Sequence, residues 1–518
     1  MDFPLYLHPR VEGRLGELLR QPALLHDLVR ALGSPLNVVL PDQIADNAAA
    51  FADVQRRRHL RGEVYFAHKA NRSSALLRRL AASPATIDVA SLGELQHALG
   101  AGFTPDRVMA TGPKTREFLW LAARCGITVN LDSPAELADL VDIVRRHGLP
   151  PVRVLARLSA FTSAGSTVLS RPSRFGTPLA EADALLARLA AARDAVEFVG
   201  VAYHLDTIGV AEKATALEAC LTVLAGAHRH DLHPRVVDIG GGFGVDYLAD
   251  GAQWERWTSE LALAVLGRRP ELTWGGHGYG WRAESGVLRG ALGLYPAHRP
   301  SAGHRYLADL LDAPAAGLGG RTLATLLQEH LYDLWVEPGR ALVDQCGAVL
   351  ARVLEVRPTD AGCHLVRLDL NAGDVSLEEH GVMMDPLLLP APSPGHDPTA
   401  ATAPVTAGPA GGAHPVYLLG NLCLEADLIT RRMVHLPALP RVGDLLVFAN
   451  TAGYFMDFSA DHALHQPVAR MVAAWQDSGR WRWCLDEQYW PVEVGQRTQD
   501  STRTATTPGP RPQEIAAA

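Results

Sequence analysis

Between about residues 35 and 340 the chain alternates two kinds of apolar pattern. Short runs rich in Val, Ile and aromatic residues read as buried strands: EVYFA (63–67), TIDVA (86–90), RVMAT (107–111), ITVNL (127–131), VRVLAR (152–157), EFVGVAYH (197–204), RVVDIG (235–240) and DLWVEP (333–338). Between them lie stretches such as SSALLRRLAAS, LGELQHALGAG, KTREFLWLAARCG, PAELADLVDIVRRHG and KATALEACLTVLAGAHRH. Their apolar residues recur at three- and four-residue spacing, and Gly often follows the last turn, as amphipathic helices require. Eight strands alternating with helices over about 300 residues predict a (β/α)8 barrel. A doubly wound sheet competes, but the Gly-rich turn expected after its first strand is missing.

The alternation breaks between Gly242 and Asp333, where the chain is longer than the earlier repeats need. This insertion, centred on about 270–330, includes WGGHGYGWRAESGVLRGALGLYPAHRP; a lid over an active site and a surface elaboration are both open readings. The barrel is therefore expected over 35–336. After Glu337 strand-like segments follow without helices (ALVDQCGAVLARVLEV, CHLVRLDLNA, HPVYLLGNLCL, GDLLVFANTAG), which predicts a mostly β second domain over 337–494. Within it, 390–415 is a Pro/Ala/Gly/Thr tract too poor in large apolar groups to order itself, and 495–518 reads as a similar tail. Residues 1–34 do not fit the barrel and are expected to join the β domain or pack beside it.

Composition narrows the function. The 518 residues are 47% apolar and 20% charged, which is ordinary globular usage, and 48 basic against 56 acidic side chains give a net charge of −8. No basic stripe favours nucleic acid or an anionic membrane. The six cysteines form no Cys-x-x-Cys pair, which argues against a zinc site or a disulfide scaffold. No signal pattern or membrane-length apolar run is present, so a soluble cytoplasmic protein is expected. Only three of the basic residues are lysines: Lys69, Lys114 and Lys213. Arg holds its proton under all ordinary conditions, so in this chain each Lys is a candidate for amine chemistry. Lys114 and Lys213 fall in helical patterns and read as surface cations.

In a (β/α)8 barrel, functional groups gather at the carboxyl ends of the strands. Those ends carry Lys69, Asp88, Arg157, His204, the triglycine Gly240-Gly241-Gly242, and Glu337-Pro338-Gly339-Arg340. Taken singly these are weak, since a triglycine can be a tight turn and a strand-end His a packed core residue. Together they suit pyridoxal phosphate: an amine to bond its aldehyde, side-chain-free N–H groups for its phosphate, and an acid for its pyridine nitrogen.

The segments VYFAHKANRS around Lys69, IDVASLGEL around Asp88, SRFG at 173–176, YHLDT at 203–207, VDIGGGF at 237–243, EPGR at 337–340, GNLCLEAD at 420–427 and NTAGY at 450–454 occur in one order. In this the chain resembles the fold-type III pyridoxal-phosphate decarboxylases, the group of ornithine, diaminopimelate and carboxynorspermidine decarboxylases, over about residues 35–485. The resemblance implies an alanine racemase-like barrel followed by a β domain. It implies that Lys69 bonds the cofactor and His204 stacks on its ring. Thr207 stands for a family serine near the phosphate, and Gly240, Gly241, Gly242, Gly339, Arg340 and Tyr454 surround that phosphate. Glu337 faces the pyridine nitrogen. Cys423 matches a cysteine that the partner subunit of a homodimer contributes to return a proton to Cα. Asp88 and Arg157 complete the implied cofactor site.

Alanine racemases of this barrel class place an arginine against the ring nitrogen, so Glu337 and Cys423 favour decarboxylation of an amino acid. A racemase or epimerase using Tyr454 as second base, and a catalytically inactive cofactor-binding regulatory homologue, are the alternatives. Departures concern the substrate. Leu424 follows Cys423 where relatives carry an acid, the family's Asp-Ala-Gly appears as Asn371-Ala372-Gly373, and Met383-Met384-Asp385-Pro386 replaces Arg-Pro-x-x-Tyr. Asp385 and Glu425 are the substrate-binding candidates, and the changes suggest an unusual amino acid or a biosynthetic intermediate.

Overall fold

A computed structural model of the chain describes residues 4–161, 173–207, 209–392, 413–456 and 464–491. The tail 495–518 and most of the tract 390–415 lie outside the described residues.

Among the described residues, eight parallel strands follow one another around a barrel: Tyr65–Ala67, Thr86–Val89, Val108–Ala110, Thr128–Leu131, Val152–Ser159, Val196–Ala202, Val236–Asp238 and Asp333–Trp335. Each falls on a segment the apolar pattern selects. The seam closes where Tyr65 N–H donates to Val336 O at 2.8 Å and Val336 N–H to Glu63 O at 3.1 Å. Alternate side chains of these short strands point in and out. Phe66, Ile87, Val129 and Val237 pack outward under the helices, while Tyr65, Met109, Leu155, Ala202, Val236 and Trp335 form a separate cluster. That separation is the expected inner plug of a barrel, which is filled by side chains.

The helices start where a hydroxyl can accept an orphan N–H. Ser73, Ser91, Thr115 and Ser133 cap Ser74–Ala81, Leu92–Gly100, Arg116–Cys125 and Pro134–His147 in this way. Gly126 and Gly148, with φ of 74° and 59°, end two of them in the left-handed turn that glycine adopts without strain.

A second sheet runs in the order Val434–Leu436, His414–Leu419, His364–Leu368, Gly347–Pro358, Leu36–Val39, Arg470–Asp477, Arg480–Leu485. The strand Leu445–Ala449 pairs with Gly347–Pro358 and also with Leu387–Leu389. This arrangement corrects the expected start of the barrel at residue 35. Leu36–Val39 pairs antiparallel with 347–350 and parallel with 470–473, so it is a central strand of the β domain. Its four residues are all buried, and an apolar run buried on both faces does not reveal which sheet it joins. The helices Gly13–Leu19 and Pro22–Leu32 cover this sheet through Leu15, Leu18, Leu25, Leu28 and Val29.

The insertion holds a helix (Gly251–Val265), a hairpin (Trp281–Glu284 with Val287–Gly290) and two helices (Gly303–Asp312, Leu323–Glu329). The helix Gly303–Asp312 buries Tyr306, Leu307, Leu310 and Leu311 against the barrel. Other parts of the insertion are stitched to the β domain, by Trp274 N–H to Arg431 O at 2.7 Å, Met433 N–H to Leu272 O at 2.8 Å and Tyr295 N–H to Gly381 O at 2.9 Å. The insertion is thus a bridge between the two sheets. Among the described residues no helix is long and apolar enough to cross a membrane.

Candidate active site

The carboxyl ends of the barrel strands meet the β domain around a cavity of about 280 Å³. Lys69 enters it from a short turn, His68–Ala70, that directly follows the first barrel strand. Tyr454 enters from the β domain, and its N–H donates to Ala70 O at 2.9 Å, tying the two turns together. His204 lies at the end of the sixth strand, the glycine turn at the end of the seventh and Glu337 just past the eighth.

Glycine is demanded at this mouth by space. A Cβ on Gly240 would sit 2.5 Å from Tyr203 O and 2.9 Å from His204 Nδ1, and one on Gly241 2.7 Å from Glu337 O. A Cβ on Gly339 would sit 2.7 Å from the Tyr454 hydroxyl. Backbone therefore forms this wall, and N–H groups can approach a ligand with no side chain between.

The electrostatics are uneven. Burial, with the Glu337 charge adding to it, pushes the Asp88 carboxyl well above the usual range, and Lys69 only partly offsets this. Asp238 is raised for the same two reasons, although its Oδ1 accepts the Gly240 N–H at 2.8 Å. Burial works against the charge on Lys69, but Asp88, Tyr454 and Glu337 outweigh it and raise its pKa. His204 is held well below the usual imidazole value by burial and by Lys213, Lys69 and Arg157. Its Nδ1 accepts the Gly241 N–H at 3.1 Å, so a neutral ring carries its proton on Nε2. Arg340 donates to the Tyr247 hydroxyl at 3.1 Å and lies over the rings of Tyr295 and Tyr454.

A family model for the pyridoxal binding domain of pyridoxal-dependent decarboxylases matches residues 42–275. An uncharacterised protein of Sinorhizobium fredii, y4yA, is 32% identical over 481 residues, 91% of this chain and 94% of its own length. The diaminopimelate decarboxylase of Pseudomonas aeruginosa is 32% identical over 242 residues, covering 45% of this chain and 57% of that one. The chain belongs to the pyridoxal-dependent decarboxylase family. Solved structures agree on the fold. Diaminopimelate decarboxylase from Helicobacter pylori, complexed with L-lysine, superposes with a TM-score of 0.65 at 18% identity, over 89% of this chain and 95% of that one. The arginine decarboxylase of Paramecium bursaria Chlorella virus, bound to agmatine, gives 0.58 at 17% identity, over 84% and 95%. Pyridoxal phosphate is the cofactor of this family. The cavity fits it: one amine, a neutral imidazole, a wall of glycines that any Cβ would spoil, and an arginine surround the same space.

Among the decarboxylase features expected from sequence, Lys69, His204, Gly241, Gly242, Glu337, Gly339, Arg340 and Tyr454 line the cavity together. Gly240 lies behind it, packed on Tyr203 and His204. Asp88 is buried in the third dimension of the same cluster, interacting with Lys69 and Glu337. Arg157 is turned aside, donating to Asp132 at 3.2 Å and covering the Phe175 ring. Thr207 is also turned away, because its hydroxyl donates to the Glu212 carboxylate. Cys423 and Glu425 lie exposed on a loop held by Asp427, which accepts the N–H groups of Ala372 and Leu422.

Three expectations are corrected. Asp385 does not reach the substrate space, since it is buried in an ion pair with Arg432 at 2.7 Å and accepts the Leu7 N–H. Lys114 is no surface cation: its Nζ donates to Gly112 O, Asn130 O and Glu136. Lys213 is wholly buried beneath the glycine turn. In both cases backbone carbonyls stand in for water, which lets an ammonium go inside. The sequence reading also missed Asp206, Tyr295 and His380, all of which line the cavity. Tyr295 comes from the aromatic-rich insertion already marked as unusual, whereas His380 lies between the two departing segments 371–373 and 383–386 and carries no signal of its own.

Proposed function

We propose that this chain removes the α-carboxylate of an amino acid, or of an amino-acid-derived intermediate, with pyridoxal phosphate held in the barrel mouth. The observation that carries this reading is the meeting of Lys69, His204, Glu337 and the glycine turn on one cavity. The cofactor supplies an aldehyde for the substrate amine and an electron-withdrawing ring for the electron pair left at Cα when CO2 departs.

The chain's own groups serve that chemistry in separate ways. Lys69 would hold the cofactor through its ε-amine, the one lysine amine lining the cavity. The acids Asp88 and Glu337 next to Lys69 keep a proton available near it. Glu337 would hold a proton on the ring nitrogen of the bound cofactor, which would strengthen its electron withdrawal. His204, uncharged, offers a flat apolar face and adds no positive charge against that nitrogen. Arg340, Tyr454 and the glycine turn would receive the phosphate. The exposed Cys423 loop supports a homodimer in which the partner chain completes the site, and light scattering with mixed Lys69→Ala and Cys423→Ala chains tests it by recovered turnover.

A panel of amino acids assayed for CO2 release in heavy water, with Lys69→Ala as the blank, tests the whole reading. Deuterated amine accompanied by CO2 supports it. An α-deuterated amino acid without CO2 makes the protein a racemase, and an absence of any reaction with a coloured, cofactor-loaded chain makes it a regulatory homologue.

A further inference from the structure

Lys213 sits one peptide behind the glycine turn, on the helix Val210–Ala227. Its side chain is fully buried, with Nζ donating to Ile239 O at 3.2 Å and to Gly241 O, and lying 4.9 Å from the centre of the Phe243 ring. Among the described residues no carboxylate pairs directly with it. Burying such an ammonium is costly, and an apolar side chain would pack at the same place without that cost. The position therefore asks for a reason.

The peptide geometry supplies one. In a planar trans peptide the C=O and the following N–H point in opposite directions. Lys213 draws the Gly241 carbonyl toward itself, so the Gly242 N–H points away from Lys213, and Gly242 itself lines the cavity. The two preceding N–H groups are already used, Gly240 by Asp238 at 2.8 Å and Gly241 by His204 at 3.1 Å. Gly242 N–H meets no acceptor among the described residues. The Thr207 hydroxyl, meanwhile, is engaged by Glu212. Burial draws the Lys213 ammonium down to about 8, against the pull of Asp206, Asp238 and Glu337.

We infer that Lys213 is a positioning residue for the cofactor phosphate, aiming the Gly242 N–H into the cavity and placing a cation behind the turn. This rests on the assignment of the glycine turn to phosphate made above. The test compares pyridoxal phosphate with pyridoxal, which lacks the phosphate, by titrating the full chain stripped of cofactor. Lys213→Met should weaken pyridoxal phosphate about tenfold and pyridoxal less than about twofold, with Lys213→Arg recovering part of the loss. Equal losses for both ligands, or no loss, overturn the inference. A wild-type chain that binds both ligands equally well instead overturns the phosphate assignment.

A second measurement needs no variant at this buried site. With only three lysines in the chain, 13C labelling at lysine Cε gives three signals, and Lys69→Arg and Lys114→Arg assign the third to Lys213. Adding inorganic phosphate to the stripped wild type should raise the Lys213 titration midpoint by about one pH unit. A midpoint that does not move overturns the inference.

Discussion

In the β domain, Arg432 and Asp385 are both buried and lie 2.7 Å apart, and their remaining polar contacts go to Met384 O and the Leu7 N–H. At the barrel mouth, Asp88, Asp238 and Glu337 are also buried, but burial and mutual repulsion raise the first two, and of the three acids Lys69 interacts with Asp88 and Glu337 alone, beside open space. The first cluster pairs one positive with one negative charge and ties Met384 and Leu7 to it. The second leaves charge unbalanced at a cavity wall, a state that persists only where a fold is held by other contacts and the site has a use for it. Buried charge alone therefore says little about function; whether opposite charges balance it says much more.

Breaking the closed pair should have the largest effect on stability. Asp385→Ala leaves Arg432 charged and unpaired inside, which should cost about 3–5 kcal/mol in urea unfolding. Turnover per folded molecule should hardly change, because neither residue lines the cavity. A loss of turnover without a loss of stability would return Asp385 to the substrate site.

The next effect appears in acid. His68 is drawn down to about 4 by burial and by His97, whose Nδ1 lies 3.0 Å from its Nε2; Glu94, itself raised by burial, is 3.6 Å away and does not offset this. The unfolded chain takes up a proton at His68 near its ordinary value of 6.5, before the native chain can. Stability supplied by the neutral ring is therefore present above about pH 6.5 and is lost as the pH falls toward about 4. His68→Asn should flatten this acid slope by about 3 kcal/mol, read from unfolding at a series of pH values. An unchanged slope would show that His97 and His204, lowered in the same direction, carry the whole dependence.

At the open cluster, Glu337→Gln keeps shape and removes charge. Turnover should fall about a hundredfold while pyridoxal phosphate remains bound. Loss of the cofactor instead would make Glu337 a holding residue and weaken the contrast with the β-domain pair.

The apolar pattern located all eight barrel strands because strands buried on both faces read as short continuous runs. It failed where depth depends on a distant partner. Leu36–Val39 is an ordinary apolar run until its neighbours at 347–350 and 470–473 are known. Asp385 reads as a substrate-binding candidate until Arg432, far along the chain, is seen beside it. Lys213 is different, because its burial was written locally. It shares a helix face with Leu217, Cys220 and Leu224, all buried at three- and four-residue spacing, so the apolar stripe already ran through it. The site followed the same division: strand-end residues were legible, whereas Tyr295 and His380 arrive on segments whose path only the fold determines.

Thr207→Val gives the smallest expected effect and sharpens the comparison most closely. The resemblance to the decarboxylases places a hydroxyl at the phosphate here, whereas the structure turns it to Glu212, with the Gly209 N–H donating to the same oxygen at 3.2 Å. A hydroxyl already satisfied by protein groups contributes little to a ligand. Removing it should change the affinity for pyridoxal phosphate by no more than about twofold, against about tenfold for Lys213→Met. A loss of tenfold or more in Thr207→Val would mean that the hydroxyl swings back when the phosphate arrives. Equal effects from the two variants would place the source of phosphate affinity in the helix that carries Glu212 and Lys213 as a whole, and not in the ammonium behind the glycine turn.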